Sequence, residues 1–515
     1  MLSLLFKYPE EITSISCSKE LCLDQIVTRI CRNKNLSDYV LTVLKQPLQN
    51  AANIVYRQEI LRDFTANNKL YEELQAACEE YNKLRGEWSK AISRLRTRSG
   101  RMQFDAQNLN MIRDIVYTLE TNALFCLNIT SFPEVLLDIL NKYHLKSEGL
   151  RNIKEFCRTR LEDENYIRLR EIAQELSGIV LILENGCEIT VDLCDSLRAQ
   201  AAHLIRIKTS NPEQNVPRQR SFFASLFNPK NEKTEADYID NTVSFSAIRD
   251  TRGEMVALIA EALKEVSSIL SQLTRMLYPT FARLAEELNF YNFALRLYDI
   301  YKDEKVSACF PDIKQEADDI FYAEELYDLL LVTKAYFTPR FKQAVIPNDV
   351  ELLNQTSGIL IQGDHSSGKT TFLRAIGVAQ VFAQAGLPIS CKSAKISIRR
   401  RVLAHFSSED VLDIHDSAGR FEGEVKEIAA LIDKLEPYSL ILLNETFQTT
   451  AFDEAADAMF DILDVISEVN IKWIFVTHLL QLTKMFSDTR KQVLLLKTCN
   501  DEENLYKLKV MDNVI

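Results

Sequence analysis

The stretch GILIQGDHSSGKTTFLRAIG, residues 358–377, decides the fold of the C-terminal part of the chain. Within it, residues 363–370 match G-x-x-x-x-G-K-[ST], after an apolar strand and at the start of a helix, which is the context that confirms a phosphate-binding loop. Glycines let backbone amides close around phosphates, and the helix N-terminus adds a favourable dipole. We predict that Lys369 reaches the β- and γ-phosphates of a nucleotide and that Thr370 holds magnesium through its hydroxyl. The predicted nucleotide-binding residues are Gly363, Asp364, His365, Ser366, Ser367, Gly368, Lys369, Thr370 and Thr371.

Short apolar strands alternate with amphipathic helices around this loop. The pattern contains, in order, GILIQG, a helix over Lys369–Ala385, SLILLN, a helix near Asp453–Val469, KWIFVTH, QVLLLK and LYKLKV. Alternation of this kind predicts a mostly parallel sheet that is covered by helices on both faces. We therefore expect an α/β domain over 337–515, with its boundary near 337–344.

Two further strand ends carry candidate catalytic residues. In YSLILLNETFQTT (438–450), four apolar residues deliver Asn444 and Glu445 to the carboxyl edge of the sheet, where α/β proteins bind ligands. Glu445 fits the residue that orients and deprotonates an attacking water, whereas Asn444 stands where such a site usually has an aspartate that acts on magnesium through a water. His478 follows the next strand and could sense the γ-phosphate. The alternatives are a strand that merely ends in a turn and a structural histidine.

The chain up to about Tyr336 is helical in pattern and almost free of strand signals. In GEMVALIAEALKEVSSILSQLTRML (253–277), apolar residues recur at alternating steps of three and four, which is typical of a helix buried along one seam. Pro279 is expected to bend or end this helix. We therefore predict an all-α domain over 1–336. The seam fits either a core helix or a lever that transmits movement, and the period does not separate the two.

Residues 209–237 interrupt the helical pattern with three prolines and many polar residues, so we expect a loop there. The centre of this loop, RQRSFFASLF, mixes cations with aromatic residues, which fits either a nucleic-acid contact or a mobile loop whose centre makes non-specific contacts. Just before it, GIVLILENGCEITV (178–191) predicts a short hairpin around Asn185-Gly186.

Basic residues concentrate in KLRGEWSKAISRLRTRSGR (83–101), which has seven cations and one acid. Four of them recur at multiples of three and four residues and could form one stripe along a DNA backbone, or they could be a plain solvated helix face. These four are Lys83, Lys90, Arg94 and Arg101. For the cluster Arg399–Arg401 we expect pairing with carboxylates at a dimer contact.

Composition limits the possible classes of protein. The net charge of -12 argues against a protein that is basic over its whole surface, so any contact with nucleic acid must be local. The 11 cysteines form no CxxC pair, and most lie in apolar sequence, as expected for core packing in a reducing compartment. The N-terminal MLSLLFKYPEEITS is too short an apolar run for a signal peptide, and we expect no apolar run elsewhere to be long enough to span a membrane. These features predict a cytoplasmic protein.

Five segments occur in the order and rough spacing of the ATPase domain of the MutS family, whose members act in DNA mismatch repair. They are VIPNDVEL (345–352), GDHSSGKTTFLRAIG (363–377), AGRFEGEV (418–425), LILLNETFQTT (440–450) and FVTHLLQL (475–482). More weakly, LCLDQIVTRI (21–30) and NIVYRQEILRDF (53–64) resemble the opening of that family's connecting, lever-like core. The resemblance implies an ABC-like P-loop ATPase domain, C-terminal to a large all-α lever domain, with ATP and Mg²⁺ as cofactors.

In the MutS family, the segment that GRFEGEV resembles is presented across a dimer to the partner's nucleotide. The resemblance therefore implies a homodimer in which Gly419, Phe421 and Glu424 face the site of the other subunit. Serine is usual at the position of Gly419, whose backbone amide could serve instead of the missing hydroxyl. The resemblance also implies action on DNA, in mismatch repair or recombination-type processing.

Departures from the family pattern refine these expectations. Lever-like sequence begins almost at once, without the domain that carries the mismatch wedge, so we expect DNA binding without strong mismatch preference. The long clamp insertion of the family is expected to be reduced to about 140–240. Asn444 in place of aspartate predicts slow ATP hydrolysis.

Two alternative functions are compatible with the sequence. One is a nucleotide-gated scaffold that recruits a protein partner and hydrolyses little ATP. The other is another ATPase of the same broad class, which the missing Leu-Ser-Gly-Gly-type signature disfavours.

Overall fold

The computed structural model describes residues 3–10, 14–99, 109–171, 173–174, 187–193, 199–207, 242–243, 253–338, 340–341, 344–364, 366–407, 417–447, 452–487, 492–499 and 506–511. Contacts between residues divide the chain into two compact units. The helical unit contains Asn67–Leu145 and Leu150–Glu286, and the sheet unit contains Ser3–Ala66, Lys146–Gly149 and Glu287–Ile515. The predicted division at residue 336 follows the change in sequence pattern, whereas the contacts group residues from both sides of it.

Helices and strands are numbered in chain order. The helices are α1 (Leu23–Cys31), α2 (Lys34–Leu44), α3 (Ala51–Ala66), α4 (Asn68–Ser99), α5 (Leu109–Asn141), α6 (Glu148–Glu162), α7 (164–171), α8 (Gly253–Asp303), α9 (Leu329–Phe337), α10 (Lys369–Ala385), α11 (Ser417–Ile432), α12 (Phe452–Glu468) and α13 (Leu480–Ser487). The strands are β1 (Cys187–Leu193), β2 (Ala199–Ile207), β3 (Thr242–Val243), β4 (Asp312–Lys314), β5 (Phe321–Leu326), β6 (Asn348–Leu352), β7 (Thr356–Gln362), β8 (Ser393–Ser397), β9 (Val402–Phe406), β10 (Leu440–Asn444), β11 (Lys472–Val476), β12 (Gln492–Thr498) and β13 (Leu508–Val510).

The helical unit has an aromatic core. The ring of Tyr81 on α4 packs against Phe132 on α5, with centroids 4.8 Å apart, and Phe132 meets Phe281 on α8 edge-on at 5.1 Å. All three side chains are buried. Aromatic rings bury large apolar areas and favour such tilted and edge-on contacts, so they hold α4, α5 and α8 together.

Two expectations for the long helices need correction. Helix α8 confirms that 253–277 is helical, while the side chains of the predicted seam lie outside the described residues, so its burial stays a prediction. The helix does not end at Pro279 but continues to Asp303, because the packing of Phe281 into the aromatic core outweighs the one backbone hydrogen bond that proline removes. The segment Thr121–Asn141 of α5 is long and apolar enough to cross a membrane by length and composition, so the expectation of no such segment is wrong. Since 67% of its most apolar window is buried within the fold, a core helix accounts for it.

The prediction of an all-α first domain is wrong in two places. Strands β1, β2 and β3 form an antiparallel sheet within the helical unit. Strands β4 and β5 join β6 and β8 in a sheet of order β4-β8-β5-β6 within the sheet unit. The hairpin turn predicted at Asn185-Gly186 and the loop predicted over 209–237 lie outside the described residues.

The sheet that carries the phosphate-binding loop has the order β13-β12-β7-β11-β10-β9. Every neighbouring pair in it is parallel except β12 and β13, which confirms the predicted mostly parallel sheet. All residues of β10 and β11 are buried, as expected for central strands with both faces covered. Gly358 on β7 lies against Trp473 on β11, where an added Cβ would come within 2.2 Å of the indole ring, so the close approach of the two strands requires glycine.

The N-terminal helices pack on the helix that follows the phosphate-binding loop. The side chain of Gln384 on α10 donates a hydrogen bond to the carbonyl of Leu48, at 2.8 Å, and Arg57 on α3 donates to the carbonyl of Ala385, at 3.2 Å. The side chain of Leu21 occupies the space beside Gly377, where a Cβ would come within 2.4 Å of it. Residues far apart in the sequence therefore fix the far end of α10.

Candidate nucleotide-binding site

The loop between β7 and α10 closes around the ammonium group of Lys369. Its Nζ donates hydrogen bonds to the carbonyl oxygens of Gly363, at 2.8 Å, and Asp364, at 2.7 Å. Gly368, directly before α10, has a φ of 91°, which favours glycine. Burial lowers the pKa of Lys369, while the nearby carboxylates of Glu445 and Asp364 act in the opposite direction. A buried cation beside the first amides of a helix suits an anionic ligand.

Thr370, the second residue of α10, contacts the end of β10. Its hydroxyl donates a hydrogen bond to Oδ1 of Asn444, at 3.0 Å. Asn444 is buried and pairs in parallel register with Phe406 on β9 and Val476 on β11. The neighbouring strands therefore fix Asn444, and Asn444 in turn orients the hydroxyl of Thr370.

The turn after β10 presents Glu445. Glu445 and Phe447 have φ values of 55° and 65°, a left-handed conformation that costs of order 1 kcal/mol for such residues and is found mainly where function requires it. The amide of Glu445 donates to the carbonyl of Val476, at 2.8 Å, and its Oε1 lies 3.0 Å from Nε2 of His478. Because a carboxylate only accepts hydrogen bonds, Nε2 of His478 carries the hydrogen of this bond.

These groups surround a cavity of about 410 Å³. That volume lies in the range of small-ligand sites. The polar part of the lining comprises Asp328, Asn348, Ser366, Ser367, Gly368, Lys369, Thr370, Thr371, Ser407, Asn444 and Glu445. The apolar part comprises Leu326, Leu331, Ala344, Ile346, Phe372 and Ala375. Tyr506 also lines the cavity and lies over Gly368, where an added Cβ would come within 3.4 Å of its ring. The lining thus combines polar groups suited to phosphates with apolar side chains.

The side chains present fit a magnesium nucleotide. In the described part of the chain, no group of three His, Cys, Asp or Glu side chains is placed to hold a metal ion. The oxygens of Thr370 and Asn444 are neutral, and magnesium is usually held by few protein ligands together with phosphate oxygens and waters. A nucleotide phosphate beside Lys369 would supply the missing negative charge.

Two family models match the chain. Residues 359–514 match MutS domain V, and residues 49–303 match the MutS2 N-terminal domain. The chain belongs to the MutS family. This confirms the resemblance seen in the five sequence segments, and the domain V match includes the phosphate-binding loop, Glu445 and His478.

Curated relatives carry both family names. The chain is 24% identical over 482 residues to the DNA mismatch repair protein MutS of Rickettsia massiliae, which covers 86% of this chain and 49% of that protein. It is 26% identical over 361 residues to the endonuclease MutS2 of Streptococcus sanguinis, covering 68% and 41%. It is 29% identical over 147 residues to MutS of Fervidobacterium nodosum, covering 28% and 18%. The chain therefore spans half or less of the length of these relatives.

The structure of this MutS-family chain brings most of the predicted catalytic and nucleotide-binding residues together. Lys369, Thr370, Asn444 and Glu445 line one cavity, and His478 contacts Glu445. His365 lies outside the described residues.

The predicted trans-subunit residues lie on α11. Gly419 and Phe421 belong to the first turns of this helix, and their surroundings lie outside what the structure describes. Oε1 of Glu424 accepts a hydrogen bond from the hydroxyl of Ser407, at 3.1 Å, and Ser407 lines the cavity of the same chain. A contact of these residues with a partner subunit stays a prediction.

The predicted basic stripe is described only in part. Lys83 and Lys90 are exposed on α4, whereas the side chain of Arg94 and all of Arg101 lie outside the described residues. DNA binding by this stripe stays a prediction.

The cluster Arg399–Arg401 pairs with carboxylates of its own chain. Arg399 is fully buried and pairs with Asp319, so it cannot serve a dimer contact as expected. Arg400 and Arg401 pair with Glu316 and Glu436, at 2.8 Å and 2.7 Å. All of these carboxylates belong to the same unit, so pairing is confirmed but the expected location is wrong for Arg399.

Asp328 and Tyr506 are among the lining residues that belong to none of the predicted site motifs. Asp328 caps α9 by accepting from the amide of Leu331, at 2.8 Å, and pairs with Arg374 on α10, at 2.9 Å. Its N-cap position before an apolar run could have predicted the start of a helix, but not its place beside the phosphate-binding loop. Tyr506 precedes β13, and no local signal connects it with Gly368.

Proposed function

We propose that this chain binds Mg-ATP in the cavity, hydrolyses it slowly and, as a dimer in the cytoplasm, acts on DNA. One observation carries the proposal: a single cavity combines the phosphate-binding loop, the Thr370–Asn444 pair and the Glu445–His478 pair. The names of the relatives support the DNA part, because they are a mismatch repair protein and an endonuclease.

Lys369 and the amides at the start of α10 hold the phosphates in this proposal. Lys369 exchanges its two carbonyl acceptors, Gly363 and Asp364, for phosphate oxygens, which bind an ammonium group more strongly because they are charged. Bound magnesium would supply positive charge next to the transferred phosphoryl group. Thr370 contributes its hydroxyl to that ion, and Asn444 orients the hydroxyl. The apolar lining residues and Tyr506 take the base.

Glu445 acts as the general base toward an attacking water. A general base must lie within hydrogen-bond reach of the proton that it removes, and Glu445 is the carboxylate at the end of β10 that lines the cavity. His478 donates to Oε1 of Glu445 and so fixes the rotamer of this side chain. The left-handed backbone at Glu445 turns the carboxylate away from the strand direction and toward the cavity.

Dimer formation and DNA binding rest on the family. Gly419, Phe421 and Glu424 would reach the site of the second subunit, and ATP binding would close the dimer. The basic stripe, of which Lys83 and Lys90 lie exposed on α4, would contact phosphates of DNA without reading its sequence, so we propose weak preference for mismatched over matched duplex. A difference of less than about 1 kcal/mol is expected, where a dedicated reader gains several.

Phosphate release at saturating ATP and magnesium tests the proposal, with and without duplex DNA. Glu445→Gln sets the background, because it removes the base and keeps the shape of the side chain. Slow turnover above that background is the expected result. ATP binding without turnover above background, in both conditions, would instead favour a nucleotide-gated scaffold, the alternative that Asn444 supports.

A further inference from the structure

A second histidine–carboxylate pair lies beside the Glu445 turn. His405, near the end of β9, is only 8% exposed. Its Nδ1 lies 3.2 Å from Oγ1 of Thr446, and its Nε2 lies 3.1 Å from Oε2 of Glu427 on α11. The imidazole therefore connects the residue after Glu445 with a neighbouring helix.

The chemistry of the two contacts determines which atom donates each hydrogen bond. The carboxylate of Glu427 can only accept, so Nε2 of His405 carries a hydrogen. In the neutral ring Nδ1 is then an acceptor, and the hydroxyl of Thr446 donates to it. In the charged ring Nδ1 donates to the same hydroxyl oxygen. The contact with Thr446 is therefore kept in both protonation states.

The turn that carries Glu445 is held from both sides of β10. From the β11 side, the carbonyl of Val476 accepts from the amide of Glu445, and His478 contacts its carboxylate. From the β9 side, the amide of Ser407 donates to the carbonyl of Asn444, at 3.1 Å, and His405 contacts Thr446. Of these four contacts, two come from the β9 side, and the contact between His405 and Thr446 is the one of the two that joins side chains.

Thr446 has the burial and the position that such a contact requires. It is 1% exposed and lies between Glu445 and Phe447, both with positive φ. A backbone in this conformation persists only where the surrounding contacts determine it. Loss of the Thr446 contact would let the turn relax and displace the carboxylate of Glu445.

We propose that His405 is a positioning residue for Glu445, which it holds through Thr446, and that through Glu427 it ties the catalytic turn to α11. The inference rests on the proposed function, since it assigns a role to the turn that carries the base. The contact with Thr446 is buried and carries the positioning. Glu427 is 69% exposed, so its contact with His405 is the weaker one.

Four variants separate the two contacts. His405→Asn keeps a polar atom near the position of Nδ1, and His405→Gln keeps one near Nε2. Thr446→Val removes the hydroxyl at nearly constant volume, and Thr446→Ser keeps it. Because Thr446→Val changes no histidine, it also serves if the His405 variants fold poorly, which thermal melting would reveal.

Three measurements are made on each full-length variant. They are kcat for ATP, the Kd of a fluorescent ATP analogue with magnesium, and deuterium exchange of the peptide covering 444–447 in nucleotide-free protein. For His405→Gln and Thr446→Val we expect kcat to fall about tenfold, Kd to change less than twofold and exchange to become faster, because a misplaced catalytic group lowers the rate without loss of binding. His405→Asn and Thr446→Ser should stay near wild type in all three.

The outcomes are distinguishable from failure of the proposed function. Wild-type protein without turnover would refute the ATPase proposal, while the exchange measurement would still decide whether His405 holds the turn. Turnover in wild type with unchanged kcat and exchange in Thr446→Val would overturn the inference. Rescue by His405→Gln but not by His405→Asn would also overturn it, because the Glu427 contact alone would then carry the effect.

Discussion

The hydroxyl of Thr370, directly after the phosphate-binding loop, donates a hydrogen bond to Oδ1 of Asn444 at the end of β10, at 3.0 Å. An aspartate at position 444 would accept the same bond with a carboxylate oxygen of the same reach. The asparagine therefore keeps the geometry of the site and removes one negative charge beside the place where Thr370 would hold magnesium.

Asn444→Asp should lower the magnesium concentration that gives half-maximal ATPase activity. One added negative charge within a few ångströms of a divalent cation strengthens its binding, and we expect a shift of about threefold or more after screening by solvent. A magnesium titration of the ATPase rate measures the shift. Asn444→Ala is the control, because it removes the acceptor oxygen and adds no charge. An unchanged half-maximal concentration in Asn444→Asp would show that residue 444 does not act on the metal.

Lys369→Ala should abolish nucleotide binding and ATP-dependent dimer closure. The variant removes the buried cation of the loop, and charge-assisted contacts to phosphate are lost. Titration with a fluorescent ATP analogue measures binding, and light scattering with and without ATP measures dimer formation. Retained binding near wild-type affinity would contradict the assignment of the loop.

Stability provides the control for Lys369→Ala. Burial lowers the pKa of Lys369, so the folded protein without nucleotide disfavours the charged form that is present at neutral pH. At pH values below the pKa of Lys369 in the folded protein, burial of the charged ammonium group therefore opposes folding, and the alanine variant removes this destabilisation. The melting temperature of Lys369→Ala without nucleotide should therefore be equal to or above that of wild type, which separates lost binding from lost folding.

Local pattern was sufficient to predict the strands and helices around the phosphate-binding loop. The helix predicted over Lys369–Ala385 has those bounds in the structure, and the sheet contains the five predicted strands together with β9, which was not predicted. Strands β4 and β5 were missed because they are short and lie within a stretch dominated by helical periodicity. The grouping of residues 3–66 with the sheet could not be predicted, since it depends on contacts such as Gln384 with Leu48 that join distant segments.

The same limit applies to the site. Lys369, Thr370, Asn444 and Glu445 follow motifs whose spacing is fixed by strand ends, so their meeting at one edge was predictable. The contact of His478 with Glu445 was not predicted, because it depends on the left-handed turn at Glu445, which the residue types at this position do not indicate.

Cys309 should be alkylated before the buried cysteines. A hydrogen bond from Cys391, whose Sγ lies 3.3 Å away, lowers the pKa of Cys309, and the Cys309 side chain is partly exposed. Burial raises the pKa of four other thiols to about 12. These are Cys17, Cys31, Cys78 and Cys157. Because the thiolate is the reactive form, brief treatment with iodoacetamide at mildly alkaline pH should modify Cys309 before these four, as read by peptide mass spectrometry.

The variant Cys391→Ala tests the cause of this reactivity. It removes the donor, so the pKa of Cys309 should rise and alkylation should slow. Cys157→Ala is a matched control in the helical unit and should leave the rate at Cys309 unchanged. Equal rates in both variants would mean that exposure alone, without the hydrogen bond, sets the reactivity.

Reversal of Lys90 and Arg94 to glutamate should weaken binding to every duplex sequence similarly. Each phosphate contact contributes about one unit to the slope of log affinity against log salt, so the slope should fall by about two units. Fluorescence anisotropy over a salt series measures it. Arg158→Glu with Arg168→Glu changes the net charge equally at exposed positions of the same unit and serves as the control. Equal losses in both pairs would assign the effect to net charge and leave α4 as solvated surface.

Glu445→Gln should leave ATP binding intact and stop turnover, because the amide keeps the size of the side chain but cannot accept the proton of water. His478→Ala should lower kcat by less, about tenfold, since the carboxylate of Glu445 remains and loses only the donor 3.0 Å from Oε1. His478→Gln keeps a nitrogen donor near Nε2 and should recover most of the loss. Single-turnover rates together with the Kd of the ATP analogue separate these effects from altered binding. If His478→Ala matched Glu445→Gln in rate, the histidine would have to take part in proton transfer itself, and orientation of Glu445 would not account for its role.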